Sequence, residues 1–216
     1  MMNRETTLRK LGDGGVIAVI RAPEPARVRP LVEALLAGGV VGIEVTTSTP
    51  GAVGVVEQLA GALGDQICLG AGTILDAATA AAMIRAGARY IVSPILDEAI
   101  ITVTRKLGAL SVPAGYTPTE IFRAFSMGAD VVKVFPATTL GPSYLRDLLA
   151  VMPWLKLIPT GGVEVKNTGD FIRAGAWAVG AGSALVGKAA LAAGDYETIR
   201  RTAAEFVAAV QTARKK

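Results

Sequence analysis

Short apolar runs alternate with longer segments of helical periodicity along almost the whole chain. Eight runs read as strands: Val16–Arg21, Val40–Thr46, Gln66–Gly70, Tyr90–Ser93, Ala109–Pro113, Asp130–Phe135, Lys156–Pro159 and Ala178–Gly180. Between them the spacing predicts helices over Glu24–Ala37, Gly51–Leu63, Ala77–Ala86, Glu98–Leu107, Thr119–Met127, about Pro142–Ala150, Asn167–Ala174 and Tyr196–Ala213. Gly or Gly-Ala pairs close several helices just before the next strand, at Gly38-Gly39, Gly87-Ala88, Gly128-Ala129 and Gly175-Ala176. A glycine there takes the left-handed cap conformation without a Cβ penalty. Asp76, Asp97 and Thr117 stand at helix starts, and Thr117-Pro118-Thr119-Glu120 has the form of a capping box.

Strand–helix repeats of this spacing predict parallel strands joined by crossover helices. Eight units fit a single (β/α)8 TIM barrel over 1–216, with residues 1–15 forming a short N-terminal helix or arm that closes one end. An open doubly wound sheet is the competing arrangement. It predicts a glycine fingerprint after the first strand, where Ala22-Pro23-Glu24 stands instead. Gly70-Ala71-Gly72-Thr73 begins like a dinucleotide loop, but Leu75 occupies the place of the third glycine.

Composition narrows the chemistry. The 216 residues are 51% hydrophobic and 19% charged, with no His and a single Cys. Without His there is no Ser-His-Asp or Cys-His nucleophile and no imidazole base. One sulfur builds neither a tetrahedral zinc site nor an internal disulfide, and Cys68 reads as a small buried hydrophobe. Charges interrupt every apolar stretch short of the ~18 residues of a membrane span, and Met1-Met2-Asn3-Arg4-Glu5-Thr6 lacks a secretory apolar run. A cytoplasmic protein is expected, with no membrane partner. The net charge of +4 owes three charges to Arg214, Lys215 and Lys216, read as a frayed, solvated helix end. No basic stripe with interleaved aromatics points to nucleic acid.

Charge inside the strand pattern marks the candidate site. In Val131-Val132-Lys133-Val134-Phe135, alternation puts Lys133 on the face opposite Val132 and Val134. Glu44 shares a face with Gly42 and Thr46, and Arg21 ends the first strand on the side of Ile17 and Val19. Barrel active sites lie at the C-terminal strand ends, so these three groups should meet at the mouth. A lysine amine there can attack a ketone and form an iminium, an electron sink that lets a neighbouring C–C or C–H bond break. Apolar neighbours favour the neutral amine, and Glu44 is expected one water away as proton shuttle. A structural ion pair in a metabolite-binding barrel, and a phosphosugar isomerase using Glu44 as base, are the competing readings. Thr160-Gly161-Gly162-Val163 and Gly180-Ala181-Gly182-Ser183 follow the last two strands, where barrels often bind phosphate on exposed backbone N–H groups.

These motifs, in this order over nearly the whole chain, resemble the 2-keto-3-deoxy-6-phosphogluconate (KDPG) and 4-hydroxy-2-oxoglutarate (KHG) aldolases. The residues that carry the resemblance are Gly38-Gly39, Glu44-Val45-Thr46, Gly70-Ala71-Gly72-Thr73, Ser93-Pro94, Thr117-Pro118-Thr119-Glu120, Lys133-Val134-Phe135-Pro136-Ala137, Pro159-Thr160-Gly161-Gly162 and Gly182-Ser183. The resemblance implies a cofactor-free, metal-free class I aldolase that cleaves KDPG to pyruvate and glyceraldehyde 3-phosphate. It implies that Lys133 forms the Schiff base and that Glu44 is the general acid/base. Arg21, Thr73 and Thr160 would contact the pyruvyl portion or order the site, Pro94 and Phe135 would line it, Thr46 and Ser48 are further substrate-binding candidates, and Gly161, Gly162, Gly182 and Ser183 would hold the phosphate. A homotrimer is implied as well. Ser48 stands where many members carry an arginine, and Pro113-Ala114 replaces the usual Pro-Gly. Both bear on substrate identity, leaving the galactonate epimer or 4-hydroxy-2-oxoglutarate as alternatives.

Overall fold

The computed structural model describes residues 3–215. Met1, Met2 and Lys216, which belong to the terminal segments read above, lie outside the described residues. Nine parallel strands are β1 (Val16–Ile20), β2 (Gly42–Thr46), β3 (Cys68–Gly72), β4 (Tyr90–Val92), β5 (Leu110–Val112), β6 (Ala114–Gly115), β7 (Val132–Val134), β8 (Leu157–Pro159) and β9 (Val179–Ala181). They form a curled α/β layer of two sheets, ordered β5-β4-β3-β2-β1-β9 and β6-β7-β8. Pro113 separates β5 from β6, because it has no N–H to give to a ladder. Its carbonyl still accepts the Lys133 N–H at 2.9 Å. At the other edge a parallel bridge pairs Thr160 with Gly180.

The helices are α1 (Arg4–Gly14), α2 (Val28–Ala37), α3 (Ala52–Leu63), α4 (Ala77–Arg85), α5 (Glu98–Lys106), α6 (Pro118–Ser126), α7 (Gly141–Val151), α8 (Val165–Arg173), α9 (Lys188–Ala193) and α10 (Tyr196–Arg214). The start and stop signals act as the residue types dictate. Asp76 and Asp97 accept the N–H groups of Thr79 (2.7 Å) and Ile100 (2.8 Å). Thr117 and Glu120 complete a reciprocal capping box. Of the boundaries that differ from the sequence reading, two are set by 3-10 turns. The segment from Glu24 opens as a 3-10 turn, Pro25–Arg27, before α2 begins. The third strand sits two residues later than expected, because a 3-10 turn takes up Gly64–Gln66. The short α9 went unread.

Two apolar cores follow from strand alternation. Val16, Ala18, Ile20, Ile43, Val45, Val132 and Val134 face the helices. Ile17, Cys68, Tyr90, Val92, Leu110, Val112, Val131, Ile158 and Ala178 pack together on the inner face. Leu11 of α1 joins this inner set, so the N-terminal helix plugs one end as expected. Arg214 corrects the reading of a solvated C-terminal cluster. Its guanidinium donates to the carbonyls of Gly12 (2.6 Å), Asp13 (2.7 Å) and Trp177 (3.2 Å). The Gly12 and Asp13 carbonyls at the end of α1 lack intrahelical donors, and a planar five-donor cation suits them. Among the described residues no helix is long and apolar enough to cross a membrane.

Candidate active site

Strand register sets the site. Glu44 of β2 lies opposite Val19 of β1 and Gly70 of β3, and Gly70 lies opposite Tyr90 of β4. Both carboxyl and amine are removed from solvent: Glu44 is 3% and Lys133 6% exposed. The Lys133 ammonium stands 5.0 Å from the centroid of the Phe135 ring, a cation–π contact between residues two apart on one strand face. Burial pushes the Glu44 carboxyl up, opposed by the positive charges of Lys133 and then Arg21. Among the described residues no direct ion pair joins Glu44 to either cation. Lys133 and Glu44 are therefore electrostatic neighbours without a direct ion pair.

Two glycines that looked like fragments of a dinucleotide loop explain this placement. A Cβ on Gly72 would overlap the Glu44 carboxyl, and one on Gly70 would overlap the Tyr90 ring. Glycine at 72 thus lets Glu44 lie across the next strand. Glycine at 70 makes room for an aromatic floor beneath it. Tyr90 is fully buried, and its hydroxyl has no hydrogen-bond partner among the described residues. Burial, then the Glu44 charge, holds that phenol well above its ordinary range. At the next position Thr73 takes φ 59°. That conformation costs a β-branched residue about 1–3 kcal/mol and is typical of functional sites. The Thr47 side chain donates to the Thr73 carbonyl at 2.9 Å and so fixes the turn.

A cavity of about 170 Å3 brings together Arg21, Phe135, Thr160, Gly161, Gly162, Gly182 and Ser183, with Val19, Val163, Glu164, Gly180 and Ala184 completing its wall. Gly161 and Gly162 have φ of 92° and 72°, open to glycine and strained for other residues. Among the described residues no acceptor engages the N–H groups of Gly161, Gly162 or Ser183. The remaining candidates lie outside this cavity. Pro94 lines an adjoining cleft that shares Phe135. Ser48 lines another that shares Arg21. Thr46 is buried and donates to the Ile20 carbonyl at 2.8 Å, with its hydroxyl 2.7 Å from that of Ser48. Among the described residues no three His, Cys, Asp or Glu side chains gather as a metal site.

Residues 7–202 match the family model described as "KDPG and KHG aldolase". The chain belongs to this aldolase family. It is therefore an enzyme of the carbon–carbon lyase type. A probable 2-dehydro-3-deoxy-6-phosphogalactonate aldolase of Rhizobium meliloti (strain 1021) is 33% identical over 83% of this chain and 85% of its own. The KHG/KDPG aldolase of Escherichia coli (strain K12) is 32% identical over 91% and 92%. The KDPG aldolase of Legionella pneumophila, solved with pyruvate captured as a covalent carbinolamine, superposes with a TM-score of 0.85 and 30% identity over 92% and 96% of the chains. Sequence reasoning missed what three residues contribute to this geometry. Gly70 and Gly72 entered as a failed fingerprint and as part of a family motif, without their place against Tyr90 and Glu44. Glu164 went unread, although Glu164-Val165-Lys166-Asn167 directly follows the Thr160-Gly161-Gly162 loop.

Proposed function

We propose that the protein is a class I aldolase that cleaves 2-keto-3-deoxy-6-phosphogluconate reversibly to pyruvate and glyceraldehyde 3-phosphate. The observation that carries this reading is a buried amine at Lys133 close enough to the buried Glu44 carboxyl to act on it, yet not paired with it, beside a cavity walled by glycine loops. The neutral Lys133 amine attacks the C2 ketone to give a carbinolamine. Glu44 protonates the departing hydroxyl as water, leaving an iminium. The now ionised Glu44 takes the proton of the C4 hydroxyl, and the C3–C4 bond breaks. Its electron pair moves into the iminium to form an enamine, and glyceraldehyde 3-phosphate departs. Protonation of the enamine at C3 and hydrolysis of the iminium release pyruvate and restore the amine.

Within this reading Arg21, Thr73 and Thr160 hold the pyruvyl end, and Phe135, with Pro94 beyond it, walls the reacting carbons. The N–H groups of Gly161, Gly162, Gly182 and Ser183 hold the phosphate. The Thr46–Ser48 hydroxyl pair stands near the rim where an arginine is common in the family. A second reading, cleavage of the 6-phosphogalactonate epimer, is favoured by the name of the Rhizobium meliloti relative. 4-Hydroxy-2-oxoglutarate is a third candidate substrate, drawn from the Escherichia coli relative. The same proposal takes the two sheets as one closed (β/α)8 barrel in a single domain, active as a cytoplasmic homotrimer. The Thr160–Gly180 bridge supports closure at one seam and the Lys133–Pro113 bond at the other.

Borohydride reduction in the presence of pyruvate should add one reduced pyruvyl group at Lys133, located by peptide mass mapping. Lys133→Arg, which keeps the charge but lacks an amine that can form an imine, should lose both the adduct and turnover. Labelling at another residue, or full activity in that variant, would overturn the assignment. A panel of the two epimers and 4-hydroxy-2-oxoglutarate, read by pyruvate release, decides the substrate.

A further inference from the structure

The wall of the active cavity carries one cationic side chain, Arg21, and one anionic side chain, Glu164. Glu164 stands at the N-cap of α8, next to the glycine loop that the proposed reading assigns to phosphate. Its backbone N–H is already taken by the Asn167 side chain at 2.8 Å, while the Asn167 amide donates to the Gly162 carbonyl at 2.8 Å. The Glu164 carboxylate pairs with the Lys166 ammonium at 2.7 Å. Lys166 is 80% exposed, however, and is not part of the cavity wall. The Glu164 side chain is itself 49% exposed, at the rim of the cavity. An exposed pair of this kind is weak, so it only partly cancels the field of the carboxylate.

A phosphate dianion offers acceptors alone and meets repulsion from Glu164, whereas a terminal hydroxyl can donate to it. Resting on the aldolase reading above, we infer that Glu164 is a specificity-determining residue that opens the distal end of the site to unphosphorylated 2-keto-3-deoxy sugar acids. Their C6 hydroxyl donates to the Glu164 carboxylate, and the glycine-loop N–H groups bind the oxygen of the same hydroxyl. Phosphorylated substrates bind against the opposition of this one side chain. Replacing it with an amide removes the repulsion and supplies a donor.

The test measures kcat and KM for 2-keto-3-deoxygluconate and its 6-phosphate with the parent enzyme, Glu164→Gln and Lys166→Ala. Glu164→Gln should raise the kcat/KM ratio of phosphorylated to free substrate by about five- to ten-fold, chiefly through a lower KM for the phosphate ester. Lys166→Ala, which unmasks the carboxylate, should lower the same ratio. An unchanged ratio in Glu164→Gln overturns the inference. So does a fall, which would mean that Glu164 serves phosphate by holding Lys166. Calorimetric titration with inorganic phosphate gives a readout that needs no turnover. Tighter binding to Glu164→Gln supports the inference even if neither sugar acid is cleaved, a result that would sink the aldolase substrate instead. Equal binding of phosphate to the parent and to Glu164→Gln overturns it.

Discussion

Glu44 carries its carboxyl over Gly72 in a dry environment, and burial outweighs the pull of Lys133 and Arg21. A carboxyl held above its ordinary value is better matched to giving and taking protons near neutrality. The same shift is a stability statement. Below the ordinary carboxylate value of 4.5 both folded and unfolded chains hold this proton. As the pH rises past it, the unfolded chain releases the proton while the folded chain retains it, so the contribution of Glu44 to stability falls until its folded pKa is passed. Glu44→Gln should therefore gain stability relative to the parent as pH is raised from 4 toward neutrality, measured by urea denaturation across that range. Its kcat should fall by about 10²- to 10⁴-fold. The inward aim of Glu44 and Lys133 was legible because strand alternation is strict and both charges break an apolar pattern. The part played by Gly70 and Gly72 was not, since their neighbours come from strands that are close only after register is set. Cys68 is the small buried side chain its context predicted, with burial pushing its thiol up to about 11.

At the level of elements, helix starts were the most readable feature because caps act within four residues of chain. Thr117 is the clearest case. Its hydroxyl accepts the Glu120 N–H at 3.3 Å, and the Glu120 carboxylate accepts the N–H groups of Tyr116 (3.0 Å) and Thr117 (2.8 Å). Those bonds hold the Glu120 carboxyl below its ordinary range. Thr117→Ala should cost about 1 kcal/mol and lower the melting temperature by roughly 2–4 °C in calorimetry. Strand boundaries were less readable. The expected fifth strand ended at Pro113, but pairing resumes at Ala114–Gly115 against Lys133 and Val134. A proline interrupts the ladder without ending the strand direction, and only the neighbouring strand shows that pairing continues. α9 is too short to display a helical period, which is why it left no mark in the sequence pattern.

Across the whole molecule, the two ends of the chain are fastened at the face that α1 plugs. Arg4 pairs with Asp130, Lys10 donates to the Gln66 carbonyl at 2.9 Å, and Arg214 gathers the carbonyls that end α1. Arg214→Ala should lower stability by about 1 kcal/mol, an exposed charged donor being worth less than a buried one. Faster amide exchange at the end of α1 and around Trp177, without change in exchange at β2 and β7, would locate the loss at this closure. The amino-acid sequence by itself determined the alternation of strand and helix, the exclusion of imidazole chemistry, and the inward faces of Lys133 and Glu44. All of these are periodic or compositional and need no distant partner. Tertiary structure alone decided that Gly72 admits the Glu44 carboxyl, that Glu164 joins the cavity wall, and that Arg214 docks on α1 instead of fraying. Each of these depends on residues far apart in the chain being packed side by side, and no local pattern encodes that proximity.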